Sequence, residues 1–277
     1  MITTTIQLGT LTFQDVTFSG WAFRDLVDWW GQVDDKMPVN ERPQAHGAFA
    51  VAKSLRAARA VSFVAVYIGS SQAALENAVD ELAAVGAEGP VQMRVTTPAG
   101  SSWRTVSVEA SPLADHHGRP TGVVTVDCVA RDSRRYADAS WLSTPPPTEG
   151  AGLEWPVLWP AVWPGGGVDG RVTLANTGRA PSAPSFQLKG GFDTATVTCM
   201  ETGARIGFDR YVPPGSTVLI DTATRRAVID DQSDVSRWLR FREWETVPAG
   251  SNRTYQFDVT GASGSPTLEG RVFPAWW

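Results

Sequence analysis

Residues 143–167, STPPPTEGAGLEWPVLWPAVWPGGG, divide the sequence into two parts of different composition. Three consecutive prolines favour an extended polyproline form, and the glycines at the far end favour a flexible chain. We interpret this stretch as a Pro/Trp/Gly-rich linker between a first domain, residues 1–142, and a second domain, residues 168–277. A long loop within a single domain is the alternative that composition alone leaves open.

The first domain combines several strand patterns with one helix. Apolar residues alternate in ITTTIQLGTLTF and again over 60–69, which predicts strands. Ser70 and Ser71 then offer helix N-caps, and apolar residues recur at steps of three and four as far as Gly86. Further strands are predicted over 91–97, 104–110 and 122–130. We therefore predict a mostly β domain with one α-helix.

The second domain reads almost entirely as short strands separated by turns. Turn residues occur at Asn176-Thr177-Gly178, Thr202-Gly203, Pro213-Pro214-Gly215 and Pro248-Ala249-Gly250. This punctuation predicts a β-sandwich or jelly roll. The strands are predicted over 171–175, 185–188, 195–201, 217–221, 227–229, 251–259 and 268–273.

Charge and hydropathy exclude several classes of partner. The net charge is −5 without a basic block, which argues against a nucleic-acid-binding surface. No apolar run is long enough for a membrane-spanning helix, so no membrane partner is expected. The N-terminus lacks the pattern of a signal peptide, so we expect folding in a cytoplasm. Cys128 and Cys199 are expected to be buried free thiols, with a disulfide or metal pair as the lesser alternative.

No pattern of catalytic or metal-binding residues stands out. The three histidines are His46, His116 and His117, and the last two are adjacent in a stretch with hairpin-turn composition. Nucleophile-elbow and phosphate-binding glycine motifs are both missing from the sequence. We therefore predict no catalytic residue, no cofactor and no metal ion, and a protein that is not an enzyme.

The segment ERPQAHGAFA, residues 41–50, contains the most isolated histidine. Arg42 and Pro43 favour an extended backbone, and Gly47 permits close backbone approach before residues 48–50 begin a strand. With no partner for catalysis, His46 is predicted to make a structural hydrogen bond in a polar loop of the first domain.

The chain contains twelve tryptophans, and three of them recur every four residues in the linker. We take Trp155, Trp159 and Trp163 as candidates for interdomain or partner packing, with core packing as the alternative. Tryptophans elsewhere are expected mostly in the domain cores, in particular Trp103, Trp238 and Trp244.

The order of the motifs resembles the distal tail (Dit) group of long-tailed phages and its minor-tail relatives. The matching features of the second half are Asn176-Thr177-Gly178 with Pro181-x-x-Pro184, then a turn at Thr202-Gly203. PGSTVLIDT at 214–222 and PAGSN at 248–252 follow, and a strand with a final Trp closes the chain. The first half is similar through Arg42-Pro43-x-x-His46-Gly47-Ala48, followed by strand, helix and strand. The resemblance covers nearly the whole chain.

The resemblance implies a first domain that assembles as a ring, typically a homo-hexamer, and a galectin-like second domain. Such a ring joins the tail tube protein to tail-tip, baseplate or receptor-binding proteins, so the expected location is the tail tip of the virion. Under this interpretation Arg42, Pro43, His46 and Gly47 form a ring-forming or tube-facing loop. Binding of a cell-surface glycan by the second domain is a further possibility. The linker with its repeated Trp-Pro pairs departs from the family pattern.

A carbohydrate-binding module is the alternative function that the sequence supports. Exposed tryptophans would then act as stacking platforms for sugar rings. A hydrolase is the weakest hypothesis, because the sequence offers no constellation of catalytic residues.

Overall fold

The computed structural model describes residues 4–17, 19–36, 40–49, 55–110, 120–149 and 166–277. The chain forms two compact units, Met1–Ala137 with Trp276–Trp277, and Asp138–Ala275. The division lies five residues before the end of the predicted first domain, because Leu142–Thr144 pair with the sheet of the second unit. The predicted linker tryptophans Trp155, Trp159 and Trp163 lie outside the described residues, as do His116 and His117.

Seven strands of the first unit close into a barrel, in the order β6-β5-β1-β2-β3-β4-β7 with β7 pairing back to β6. β2 and β3 are parallel, and the other barrel pairs are antiparallel. The short strand β8 pairs with β6 outside the barrel order. The elements are β1 Thr5–Leu8, β2 Leu11–Gln14, β3 Gly20–Val27, β4 Arg59–Ile68, α1 Gln72–Ala84, β5 Val91–Thr97, β6 Gly100–Ala110, β7 Thr121–Ala130 and β8 Arg135–Tyr136.

Aromatic side chains fill much of the barrel interior. The ring centroid of Phe13 lies 5.4 Å from that of Trp21 and 5.1 Å from that of Phe63. Each such buried ring contributes about 1.5–3 kcal/mol of stabilisation. The predicted helix is confirmed as α1, with the Ser71 side chain accepting a hydrogen bond from the Ala74 N–H at 3.2 Å.

The second unit is a sandwich of two antiparallel sheets, which confirms the predicted β-sandwich. One sheet has five strands in the order β10-β18-β12-β13-β17, and the other has six in the order β16-β15-β14-β11-β19-β9. The elements are β9 Leu142–Thr144, β10 Arg171–Asn176, β11 Pro184–Lys189, β12 Phe192–Cys199, β13 Arg205–Val212, β14 Thr217–Asp221, β15 Arg226–Ile229, β16 Ser233–Asp234, a 3₁₀ helix Ser236–Trp238, β17 Leu239–Arg240, β18 Ser251–Thr260 and β19 Thr267–Val272. The last short strand, β20 Ala275–Trp276, belongs to neither of these sheets and follows β8 in the strand order of the first sheet.

The sandwich core is built from the inward side chains of both sheets. Phe186 of β11 and Tyr255 of β18 meet edge to face, with centroids 4.9 Å apart. Trp238 and Trp244 pack against this core, as predicted, whereas Trp103 of the first unit lies on β6 beside Tyr136, half buried. Cys128 and Cys199 are both buried free thiols, which confirms the prediction for them.

Two predictions about local structure were incomplete or wrong. Strands β3 and β13 were missed, and the strand predicted to begin at residues 48–50 is represented in the described residues only by Ala48, since residue 50 lies outside them. Ala48 makes one isolated bridge, and the next barrel strand starts at Arg59. Among the described residues, no helix is both long and apolar enough to cross a membrane.

Candidate functional site

The segment around His46 forms a small hairpin between β3 and β4. Glu41 pairs with Ala48 in an antiparallel bridge, and the Arg42 N–H donates to the Gly47 carbonyl oxygen at 3.0 Å. Gly47 has a φ of +83°, a backbone conformation that is unfavourable for residues with a Cβ atom but not for glycine. The geometry explains why glycine stands in this turn.

The tip of this hairpin is open to solvent. The side chains of Arg42, Pro43 and His46 are exposed, and Phe49 is 60% exposed with the Arg42 guanidinium 5.8 Å from its ring centroid. His46 makes no hydrogen bond with any described residue. Within the described residues, the predicted structural hydrogen bond of His46 is not formed, because its side chain lies at an exposed turn.

Backbone pairing continues below the tip and gives the segment an ordered base. Asp35 and Arg56 form an antiparallel bridge, and the Lys36 N–H donates to the Leu55 carbonyl oxygen at 2.7 Å. The Arg56 guanidinium donates to the Val33 carbonyl oxygen at 3.0 Å and to the Asp35 carboxylate at 2.7 Å. We refer to the described residues of 33–57 as the arm.

A turn at residues 28–31 connects β3 to the arm, and a buried arginine holds it. Arg59 is 3% exposed and donates to the carbonyl oxygens of Asp28 at 2.7 Å, Trp30 at 3.3 Å and Gly31 at 2.7 Å. Burial lowers the pKa of Arg59, although the nearby Asp28 carboxylate opposes this shift. The turn is thus fixed to the first residue of β4.

Arg104 completes this anchor from inside the barrel unit. Its Nη1 donates to the Trp29 carbonyl oxygen at 2.8 Å, and its guanidinium lies 4.5 Å from the Trp29 ring centroid. Its Nε and Nη2 are buried without a hydrogen-bond partner. Burial and then the charges of Arg59 and Arg135 lower the pKa of Arg104 to about 9. We call Arg59 and Arg104 the arginine anchor; sequence reasoning missed it.

The second unit contains a different anchor at the Asn-Thr-Gly motif. Asn176 is 1% exposed, and its Nδ2 donates to the carbonyl oxygens of Ala180 at 2.8 Å, Val247 at 3.1 Å and Pro248 at 3.2 Å. One amide therefore ties the end of β10 to the loop before β11 and to the loop before β18. These are two of the turns that the sequence marked.

The side-chain amide oxygen of Asn176, Oδ1, makes the remaining hydrogen bonds of this residue. It accepts from the Gly178 N–H at 3.0 Å and from the Ala275 N–H at 3.2 Å. A Cβ at position 178 would overlap the Ala275 backbone, so glycine is required there by close approach. Crowding, and not a positive φ, is therefore the reason for glycine at this position.

These surfaces and anchors contain no arrangement for catalysis. The described ranges contain no group of three or more His, Cys, Asp or Glu side chains placed to hold a metal ion. Burial and then the charge of Asp127 raise the pKa of the Cys128 thiol to about 12, which makes a thiolate nucleophile unfavourable. The candidate site is the arm, an exposed segment with an ordered base.

Comparison with known proteins places the fold. No protein-family model and no curated protein sequence matches this chain. The crystal structure of the Dit protein (gp 19.1) of phage SPP1 is similar over 99% of both chains, with a TM-score of 0.65 and 12% identity. That protein is described as a hub of the adsorption apparatus in phages that infect Gram-positive bacteria.

Two structures of the phage P2 baseplate in its activated conformation are also similar. The calcium form matches with a TM-score of 0.56 and 9% identity, covering 98% of each chain. The strontium form matches with a TM-score of 0.52 and 10% identity over the same shares. The likeness is one of fold, and it extends over nearly the whole chain.

Proposed function

We propose that this chain is a structural, non-enzymatic protein of the tail tip of a long-tailed phage or tail-like particle. It forms a ring, a homo-hexamer, that joins the tail tube to tip, baseplate or receptor-binding proteins. Its place is then the virion tail tip, after assembly in the host cytoplasm. The observation that carries the proposal is the fold likeness to a phage hub protein over 99% of the chain.

The closed barrel supports the proposal because it leaves surface elements, and not free end strands, for contacts between copies. Because β6 and β7 close the sheet, the barrel cannot assemble simply by joining its two end strands to a neighbour. Contacts between copies then depend on surface elements, and the arm is an exposed segment with an ordered base. Arg42, Pro43, His46 and Gly47 at its tip are the residues that we assign to the interface between subunits.

The partners follow from the position of such a ring. One face meets the tail tube protein, and the other meets a tail-tip or tail-associated protein. Trp155, Trp159 and Trp163 keep their assignment to interdomain or partner packing as part of this proposal. The assembly needs no nucleic acid, membrane, metal ion or cofactor.

Mass photometry of the full chain across a wide concentration range tests the ring directly. We expect a discrete species of six copies, and the same measurement in the presence of the tail tube protein allows for assembly that requires it. A matched pair of variants, Arg42→Glu in the arm and Arg226→Glu on the sandwich, separates the arm from a general charge effect. A monomer under every condition would contradict the proposal.

A further inference from the structure

The outer side of β13 carries two consecutive exposed side chains. Asp209 and Val212 of β13 pair with Thr194 and Phe192 of β12, so two residues of β13 lie opposite one residue of β12. This irregularity is a β-bulge. Arg210 and Tyr211 lie in this bulge, and both are exposed, Tyr211 to 52%. Bulges of this kind redirect side chains, often beside functional sites.

The 3₁₀ helix places a second arginine and an indole next to the bulge. The Arg210 guanidinium lies 5.5 Å from the Trp238 ring centroid, and the Arg237 guanidinium lies 5.1 Å from it. Neither guanidinium forms an ion pair or hydrogen bond with a described residue. Two like charges therefore share one ring with no carboxylate between them, an arrangement that an added anion would relieve.

A strained aromatic residue extends this surface along β13. Phe241 has a φ of +47°, which is unfavourable for a bulky residue, and its ring is 46% exposed. It lies over Gly207, and the Arg205 guanidinium is 4.3 Å from its ring centroid. A strained backbone that holds an aromatic ring exposed beside a cation is a feature that recurs at ligand-binding sites.

These residues form one continuous surface on the sandwich. β17 pairs with β13 at Gly207 and Phe208, and the Arg240 guanidinium pairs with the Asp209 carboxylate at 2.6 Å between the two ends. We define the arginine–aromatic strip by six residues: Arg205, Arg210, Tyr211, Arg237, Trp238 and Phe241.

We propose that the arginine–aromatic strip binds an anionic carbohydrate chain. Guanidinium groups pair in a fork geometry with carboxylate or phosphate oxygens, and aromatic rings stack on the apolar faces of sugar rings. The strip carries both kinds of group on exposed positions, which suits a chain of sugars that bears anionic groups.

Other partners fit the strip less well. Arginine and aromatic residues are also enriched in protein interfaces, but an uncharged protein surface would leave Arg210 and Arg237 beside the Trp238 ring without an anion. Nucleic acids carry one charge per nucleotide and need a large basic surface, whereas this chain has a net charge of −5. Few uncommitted arginines on an acidic protein favour a ligand of low charge density.

Binding to defined polysaccharides tests the proposal. The full chain is titrated with polygalacturonate as the carboxylate probe, phosphomannan as the phosphate probe, and dextran as the neutral probe. The double variant R210A/R237A is compared with R171A/R226A, which removes two exposed arginines from elsewhere on the sandwich. A third variant, Tyr211→Ala, tests the contribution of an exposed ring, and thermal melting verifies that each variant is folded.

We expect one or both anionic probes to bind the original chain, and added salt should weaken this binding. The affinity should fall by about tenfold or more in R210A/R237A and should change little in R171A/R226A. Preference between the two anionic probes identifies the anionic group. The proposal is overturned if neither anionic probe binds, or if dextran binds with the same affinity as the anionic probes. It is also overturned if the two double variants lose the same affinity, or if oligothymidylate binds more tightly than the polysaccharides. The proposed glycan binding does not depend on the proposed ring. A chain that binds glycan without forming rings, or forms rings without binding glycan, would distinguish the two proposals.

Discussion

Asn176 in the second unit and Arg104 in the first are both buried polar side chains that bind backbone carbonyl groups. Asn176 is neutral, and its amide uses its donors and its acceptor in five contacts. Arg104 is charged, makes one hydrogen bond to Trp29, and leaves two nitrogen atoms unpaired. The first arrangement stabilises the fold around it, whereas the second bears a desolvation cost at the point where the arm begins.

Burial of a polar side chain and the stability that it adds are therefore separate properties. A buried amide whose donors and acceptor are all hydrogen-bonded stabilises the fold, because its removal leaves several backbone groups without partners. The burial of Arg104, which leaves two of its nitrogen atoms unpaired, is better explained by its role at the turn of residues 28–31. Arg104 holds this turn, and the exposed arm follows it in the chain. The variants below are ordered by the change that we expect in the free energy of unfolding.

Asn176→Ala should give the largest effect, a loss of about 4 kcal/mol from the sandwich. The substitution removes the amide and leaves buried carbonyl and N–H groups unsatisfied. Denaturant unfolding followed by peptide-resolved hydrogen exchange would locate the loss in the second unit. Asn252→Ala, at an exposed position of β18, is the matched control and should change stability by less than about 0.5 kcal/mol. A loss below about 1 kcal/mol for Asn176→Ala would show that the anchor is dispensable.

Gly47→Ala should cost about 1 kcal/mol in the hairpin and weaken assembly, because alanine is strained at a φ of +83°. Hydrogen exchange of the arm peptides and mass photometry measure the two effects. Ala45→Gly in the same hairpin serves as the control for a change in backbone entropy. Faster exchange in the arm with an unchanged ring would remove the arm from the subunit interface.

Arg104→Met should change the free energy of unfolding by less than about 1 kcal/mol, because relief of desolvation offsets the lost hydrogen bond. The turn at 28–31 should nonetheless become less ordered, and assembly should weaken. Chemical unfolding gives the first quantity and mass photometry the second. A loss of 3 kcal/mol or more would place Arg104 in the same class as Asn176 and contradict the contrast drawn between them.

His46→Ala should leave stability within about 0.5 kcal/mol of the original, because the ring is exposed and solvated. Its effect should be confined to assembly, measured as the ring fraction at fixed protein concentration. Loss of an enzymatic activity in this variant, if one were found, would overturn the assignment of the segment to a structural role.

The sequence was sufficient where structure follows from local chemistry. Ser71 at the start of α1 and the turns at Thr202-Gly203 and Pro248-Ala249-Gly250 were read correctly, because caps and turns depend on a few neighbouring residues. The β-sandwich followed from the number and spacing of these turns. The Asn-Thr-Gly motif was recognised, but its five hydrogen bonds depend on segments far apart in sequence.

Other features were beyond local reasoning. β3 has an irregular register between Arg24 and Val27, with Asp25 at a φ of +54°, and β13 contains a bulge, so neither strand alternates regularly. Barrel closure between β6 and β7 is a long-range pairing that no single segment encodes. The burial of Arg104 runs against the usual exposure of arginine, and only the packing around Trp29 reveals it.

We propose that this chain forms a ring through its arm. The most direct test is mass photometry of the full chain and of Arg42→Glu, with Arg226→Glu as control, each with and without the tail tube protein. We expect a six-copy species for the original chain and for Arg226→Glu, and loss of this species in Arg42→Glu. The same ring in all three proteins would contradict the arm as the interface, and a monomer throughout would contradict the ring itself.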